Sequence, residues 1–194
     1  MQLQEKLHLT YCTNIHPGQD WKSTFESIQK HVPGIKKEVS SNQAFGLGLR
    51  LSNKASEELE HGSNMSDFKN WLADNNLYVF TMNGFPYGNF HNERVKDMVH
   101  APDWTTNDRL SYTKRLFRQL SELLPKGLNG GISTSPITYK YWHKSKEETE
   151  KAFEVGAKHM LQVANQLFEL ENTTGKYMHL DIEPEPDGLL ENSD

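Results

Sequence analysis

Apolar positions along this chain follow two alternating rhythms. Runs with a period near two, at Leu7–Ile15, Ala44–Leu51, Leu77–Asn83, Gly130–Ser135 and Tyr177–Glu183, predict five strands. Stripes with helical spacing lie between them. Trp21, Phe25, Ile28 and Val32 predict a helix capped by Asp20 and stopped at Pro33-Gly34. A short polar helix around Lys54–Glu60 precedes another at Ser66–Asp74, where Phe68, Trp71 and Leu72 share a face. Leu110, Leu116, Leu120 and Leu123 mark a longer helix, Asn107–Leu124, ended by Pro125. Ser145-Lys146-Glu147-Glu148 reads as a capping box opening a helix that runs to about Asn172, and Gly175 then releases the chain into the last strand.

Strands alternating with helices predict one α/β domain over 1–194, with a parallel sheet and crossover helices. The connections are asymmetric. Those from helix to strand, PKGLN and TTGK, are short and plain. Those from strand to helix are long and aromatic: Gly84–Thr106 carries Phe85, Tyr87, Phe90, His91, His100 and Trp104, and Pro136–Lys144 carries Tyr139, Tyr141, Trp142 and His143. Ligands of parallel α/β folds sit at the carboxyl ends of the strands, so the decorated end is the expected functional end. Gly84–Thr106 also exceeds the roughly 12–15 residues beyond which a loop usually serves as a lid or a binding loop.

Splitting each strand by alternation sharpens the fold class. Met178, Leu180 and Ile182 suit a helix layer, leaving His179, Asp181 and Glu183 opposite. Likewise Leu9, Tyr11 and Ile15 leave Thr10, Cys12, Asn14 and His16. Phe45, Leu47 and Leu49 leave Gly46, Gly48 and Arg50, while Tyr78, Phe80 and Met82 leave Val79, Thr81 and Asn83. A doubly wound sheet meets helices on both faces and reads apolar on both; one polar or small face is what the lumen of a (β/α) barrel requires. No phosphate-cradling glycine pattern follows the first strand, where the chain reads NIHPGQDW. A complete (β/α)8 barrel needs eight strands and about 250 residues. The expectation is therefore an incomplete, TIM-barrel-like (β/α) repeat, the N-terminal part of a longer protein. On its own it would expose sheet edges and tend to associate into an oligomer.

Composition narrows the setting. The 194 residues carry 21 basic and 26 acidic side chains, a formal charge of −5, and no basic stripe, which argues against a nucleic-acid partner. Cys12 is the single cysteine, so no intrachain disulfide is possible and a reducing compartment fits. The start, MQLQEKLHLT, lacks a signal peptide's apolar stretch, and no run approaches the ~20 apolar residues of a membrane span, so the expected location is cytoplasmic. Only 35% of residues are apolar and the mean hydropathy is −0.76, so either the interior is partly polar or some of the core comes from elsewhere.

Candidate chemistry gathers at the strand ends. His16 fits a general base or a hydrogen bond to a substrate hydroxyl, and equally a surface histidine before Pro17-Gly18. Asn14 shares its phase and is a candidate substrate contact. Arg50 suits a phosphate or carboxylate, or else a bridge to an acidic loop. Asn83 suits ligand orientation or a turn before Gly84. Tyr87 and His91 are candidate substrate contacts on the long loop, where the aromatic residues serve either as stacking platforms or as the core of the loop itself. In YMHLDIEPEPDG, Glu183 and Glu185 suit a divalent cation (Mg, Mn or Zn) or a solvated acidic turn.

Five strings, TYCTNIHPGQDW, TMNGFPYGNFH, APDWTTNDRLSYT, GGISTSPITYK and HLDIEPEPDGLLEN, together resemble the EboE-type metabolite-traffic proteins of the Ebo gene cluster, relatives of sugar phosphate isomerases and epimerases with a xylose-isomerase-like TIM barrel. The resemblance spans nearly the whole chain in order. It implies a cytosolic protein that acts on, or hands over, a small metabolite destined for export, with other Ebo-cluster proteins as its partners. It also implies that Glu183 is a metal ligand, joined in the wider superfamily by ligands from later strands. Three functions follow as expectations: a metal-dependent isomerase or epimerase, a non-catalytic metabolite carrier, and, against the charge, a metal-dependent phosphodiesterase.

Overall fold

The computed structural model describes residues 1–4, 7–88 and 96–192. A small antiparallel hairpin, β1 (Gln2–Gln4) and β2 (Leu7–His8), precedes a five-stranded parallel sheet. Its strands are β3 (Thr10–Cys12), β4 (Phe45–Arg50), β5 (Leu77–Asn83), β6 (Gly130–Thr134) and β7 (Met178–Ile182). The helices between them are α1 (Trp21–Val39), α2 (Asn53–Leu59), α3 (Asn64–Asp74), α4 (Asn107–Leu123) and α5 (Lys146–Thr174).

The strands lie in chain order, β3-β4-β5-β6-β7, with no reversal. Right-handed crossovers, the rule between parallel strands, then lay every helix on one face. Burial follows that prediction. Leu47, Leu49, Val79, Met82, Ile132 and Met178 lie in the core with Ile28, Phe68, Leu116 and Val163 of the helices. Cys12, His179 and Asp181, in the opposite phase, are exposed. This is an α/β fold with a five-stranded parallel sheet flanked by helices, and one face of the sheet is open.

Local chemistry sets the helix ends. Asp20 accepts from the Ser23 amide at 2.8 Å and closes a capping box on α1. Ser52, Thr106 and Ser145 cap α2, α4 and α5 in the same way. Gly175 ends α5 at φ 68°, the left-handed conformation of a helix C-cap.

Three expectations are corrected. The first strand is not continuous: it divides into β2 and β3, and Thr13–Ile15 form a 3-10 turn that breaks the alternation and leaves Ile15 exposed. Pro33-Gly34 does not stop α1, which runs on to Val39. Pro33 lies on the exposed side, so the carbonyl its missing N–H leaves unbonded is open to water, while Ile35 continues the apolar stripe. In β5 the phase is the reverse of that expected over the first half. Leu47 pairs with Val79 but Gly48 with Thr81, so Phe80 is the extra residue of a bulge. Leu77, Val79 and Met82 thus reach the core, whereas Tyr78 and Phe80 turn to the open face and meet the His8 ring there.

On the β7 side of the sheet no further described strand pairs with it. The flank of α5 beside it is also uncovered: Phe153, Leu161 and Phe168 are 38%, 62% and 66% exposed.

Candidate functional site

The open face is organised in levels by the strand register. Cys12 pairs with Gly48, Gly48 with Thr81, Thr81 with Gly131, and Gly131 with His179, so these five residues form one row across the sheet. Above it, Arg50 pairs with Asn83, Asn83 with Ser133, and Ser133 with Asp181. Glycines make the lower row shallow. A Cβ on Gly48 would lie 2.9 Å from the Cys12 sulfur, and one on Gly131 would lie 2.6 Å from His179 Cε1 and 2.7 Å from Asp181 Oδ2. Neighbouring side chains lean over both glycines, so a larger residue at either position would have to displace them.

At the end of this row His179 Nδ1 is 2.7 Å from Asp181 Oδ1. Residues two apart on a strand share a face, so β7 presents imidazole and carboxylate side by side. Both side chains are about half exposed, at 45% and 52%. Glu183 follows in the same phase, just beyond β7, and its amide donates to the Thr134 carbonyl at 2.9 Å.

The rim above the face is held by buried cations. Arg109, fully buried at the start of α4, donates from Nη1 to the Gly84 carbonyl at 2.7 Å and from Nε to the Pro102 carbonyl at 2.8 Å. It also lies against the rings of Tyr87 and Tyr112, at 5.8 and 5.6 Å. Burial lowers its pKa to about 10. Arg50 donates from Nη1 to the Gly18 carbonyl at 3.0 Å and from Nη2 to the Gly88 carbonyl, and the Asn53 amide donates to the Tyr87 carbonyl at 2.8 Å. Buried donors thus hold the strand-to-helix loop over Gly84–Gly88 carbonyl by carbonyl. Farther along, Trp104 is wholly buried, its Nε1 donating to Thr134 Oγ1 at 3.0 Å. His100 is buried against Phe85 and Tyr139, and burial, followed by the Arg109 charge, lowers its pKa.

The sequence candidates distribute as follows. Asn83 caps its own turn, its Oδ1 accepting from the Phe85 amide at 3.0 Å. Arg50 is 3% exposed and spans two loops. Tyr87 packs edge-on against Tyr112 at 5.1 Å. His16 Nε2 lies 2.6 Å from the Tyr11 hydroxyl, and its ring stacks on His31 at 4.3 Å. Asn14 is half-buried in the turn before it. His91 lies outside the described residues. Glu183 follows Asp181 by two positions, just beyond β7, whereas Asp187 of the same acidic turn is engaged 3.4 Å from Lys140 Nζ. Two grooves of about 480 and 520 Å³, one beside α1 at Pro17–Gln19 and one near His8, Tyr78 and Pro125, contain none of His179, Asp181 and Glu183.

Strand alternation places His179 and Asp181 in one phase but does not show that they touch. Their two-residue spacing beside Gly131 was the available signal. Arg109 carried none, because a basic residue in the first turn of a helix opposes the helix dipole and reads as a solvated side chain.

Among the described residues no three His, Cys, Asp or Glu side chains converge as a metal-ligand group. No helix among them is long and apolar enough to cross a membrane. No protein-family model, curated protein or solved structure significantly matches this chain.

Proposed function

We propose that this chain is a run of (β/α) units of a xylose-isomerase-like TIM barrel, and that it holds a small polar metabolite on the open face of its sheet, as an EboE-type metabolite-traffic protein would. The observation that carries the reading is the glycine-floored row ending in His179–Asp181, on a face that helices do not cover. Unreversed strand order, an unpaired outer edge on β7 and the bare flank of α5 support continuation into further strand–helix units. On this proposal the protein is related to sugar phosphate isomerases and epimerases, and other Ebo-cluster proteins receive its metabolite.

A divalent cation enters the proposal through Glu183 alone. The described residues do not supply a ligand set around it, so Mg, Mn or Zn binding there would need ligands from outside them, and no step of the chemistry is routed through a metal. A second reading, a carrier without turnover, is favoured by the commitment of Arg50 and Asn83 to loop backbone, which leaves fewer polar groups to act on a ligand. Mass spectrometry of small molecules retained through native purification tests the shared premise. A polyhydroxylated metabolite in wild type, depleted when Gly48 is replaced by Val, is the expected result. Retention unchanged by Gly48→Val would remove the open face from the account.

A further inference from the structure

We infer that two copies of this chain join through β7 and α5, about one two-fold axis beside Leu180. The strands pair antiparallel into a continuous sheet, and the helices pack antiparallel on its covered face. The inference goes beyond the metabolite reading and states what covers the β7 edge and the α5 flank in the 194-residue chain: a second copy. Edge pairing leaves the open face free.

The edge is available because the chain turns away from it. After Ile182 it runs back to the loop that follows β6, where the Leu189 amide donates to the Thr138 carbonyl and the Lys140 amide to the Asp187 carbonyl, both at 2.9 Å. Tyr177, just before β7, and Ile182, at its end, are 50% and 41% exposed. Antiparallel pairing sets side chains of one face directly opposite each other. His179 and Asp181 share a face, and three registers bring these residues together across the axis. One sets His179 on the partner's His179, and another sets Asp181 on the partner's Asp181. The third, centred on Leu180, sets each His179 opposite the partner's Asp181. It also sets Met178 opposite the partner's Ile182 on the apolar face. Charge thus selects one register, and that register is self-complementary, as a two-fold contact requires.

The helix repeats the symmetry. On its side toward α4, His159 and Gln166 donate to the Trp104 and Lys114 carbonyls at 2.8 and 2.9 Å. On the other side Ala157, Leu161, Ala164 and Phe168 are exposed and follow the four-three-four spacing of a helix-pairing seam. Set antiparallel about the level of Gln162 and Val163, Leu161 meets the partner's Ala164 and Phe168 meets the partner's Ala157. Each large side chain falls opposite a small one. The two centres also stand at one height. Extended chain from Gly175 rises about 16 Å to Leu180, and helix traced back from Thr174 rises about 16 Å to Val163. One axis therefore serves both contacts. A helix lying one strand spacing in from that axis meets its partner at about 10 Å, the distance of packed helices.

Sedimentation equilibrium of the full chain and NMR of a sample mixed from differently labelled copies test this. Wild type is expected as a dimer, with filtered NOEs between the Met178 methyl of one copy and the Ile182 methyls of the other. A monomer, or a dimer without those NOEs, overturns the interface. His179→Asp sets carboxylate opposite carboxylate at both symmetric positions and is expected to weaken dimerisation at least ~10-fold. Adding Asp181→His to the same chain restores opposite pairing and is expected to return the affinity to within ~3-fold of wild type. No weakening by His179→Asp, or a double variant no tighter than the single one, overturns the register. Metabolite retention, read with Gly48→Val, is independent of these outcomes, so the dimer and the metabolite site fail separately.

Discussion

Replacing Arg109 with methionine removes the cation that joins α4 to the loop after β5 while keeping most of the side-chain volume. In the folded protein its guanidinium makes hydrogen bonds of 2.7 and 2.8 Å to the Gly84 and Pro102 carbonyls. Hydrogen bonds from a charged donor contribute about 1.5–3 kcal/mol each, so their gross loss is about 3–6 kcal/mol. Part is offset. Arg109 is wholly buried, its Nη2 has no hydrogen-bond partner among the described residues, and burial lowers its pKa to about 10. Relief of that burial returns about 1–3 kcal/mol, smaller where the bonds are weaker, leaving a net destabilisation of about 2–3 kcal/mol. Urea unfolding gives the total, and amide exchange at Phe85, Tyr87 and Gly88 reports whether the loss is local. A change below about 0.5 kcal/mol, with protection at those amides intact, would refute the claim that this guanidinium anchors the rim.

Other predictions follow from the same contacts. Gly131→Ala is expected to leave the fold within about 1 kcal/mol of wild type, because the added methyl meets only half-exposed side-chain ends; the His179–Asp181 hydrogen bond should be lost in imidazole NMR, and a retained bond would contradict the cradle. His100 has a lowered folded pKa, so it stays neutral in the native protein while the unfolded chain takes up a proton as pH falls through about 6.5. Its contribution to stability is full above that value and is lost as pH drops toward the folded pKa; thermal melts from pH 7.5 to 5.5 should show a steeper decline for wild type than for His100→Gln. The pair Leu161→Lys and Phe168→Lys is expected to change stability by less than about 0.5 kcal/mol per site and to weaken self-association in sedimentation, since both side chains are mostly exposed.

Helix positions were the most readable part of the sequence, because stripes such as Leu110–Leu116–Leu120–Leu123 and caps such as Asp20 and Ser145 act locally. The parallel sheet was readable from the alternation of element types. What local patterns could not carry were the events that depend on a neighbouring strand. The Phe80 bulge is visible only in pairing with β4, and its effect is to turn two aromatic residues from the expected core face to the open one. Pro33 looked like a terminator because its sequence context does not state which side of α1 meets water. At the site, phase alone grouped His179, Asp181 and Glu183, but the contact that makes the first two a unit required Gly131, 48 positions earlier, to lie beside them. Arg50 and Asn83 looked like ligand-binding groups at strand ends. Their polar atoms serve the backbone of Gly18, Phe85 and Gly88, a role that only the folded loops reveal.

The central claim is that the open face of the sheet receives the ligand, and Cys12 offers a direct probe of it. It is the single cysteine, it is exposed, and it stands over Gly48 in the same row as His179. The decisive measurement is the rate at which a small aromatic disulfide reagent modifies Cys12, with and without a saturating amount of the metabolite recovered from native protein. The account predicts prompt reaction of the ligand-free chain and at least ~10-fold protection by the metabolite, the occlusion expected when a ligand covers most of its contact surface. Binding of the metabolite with an unchanged Cys12 rate would place the ligand elsewhere and contradict the account.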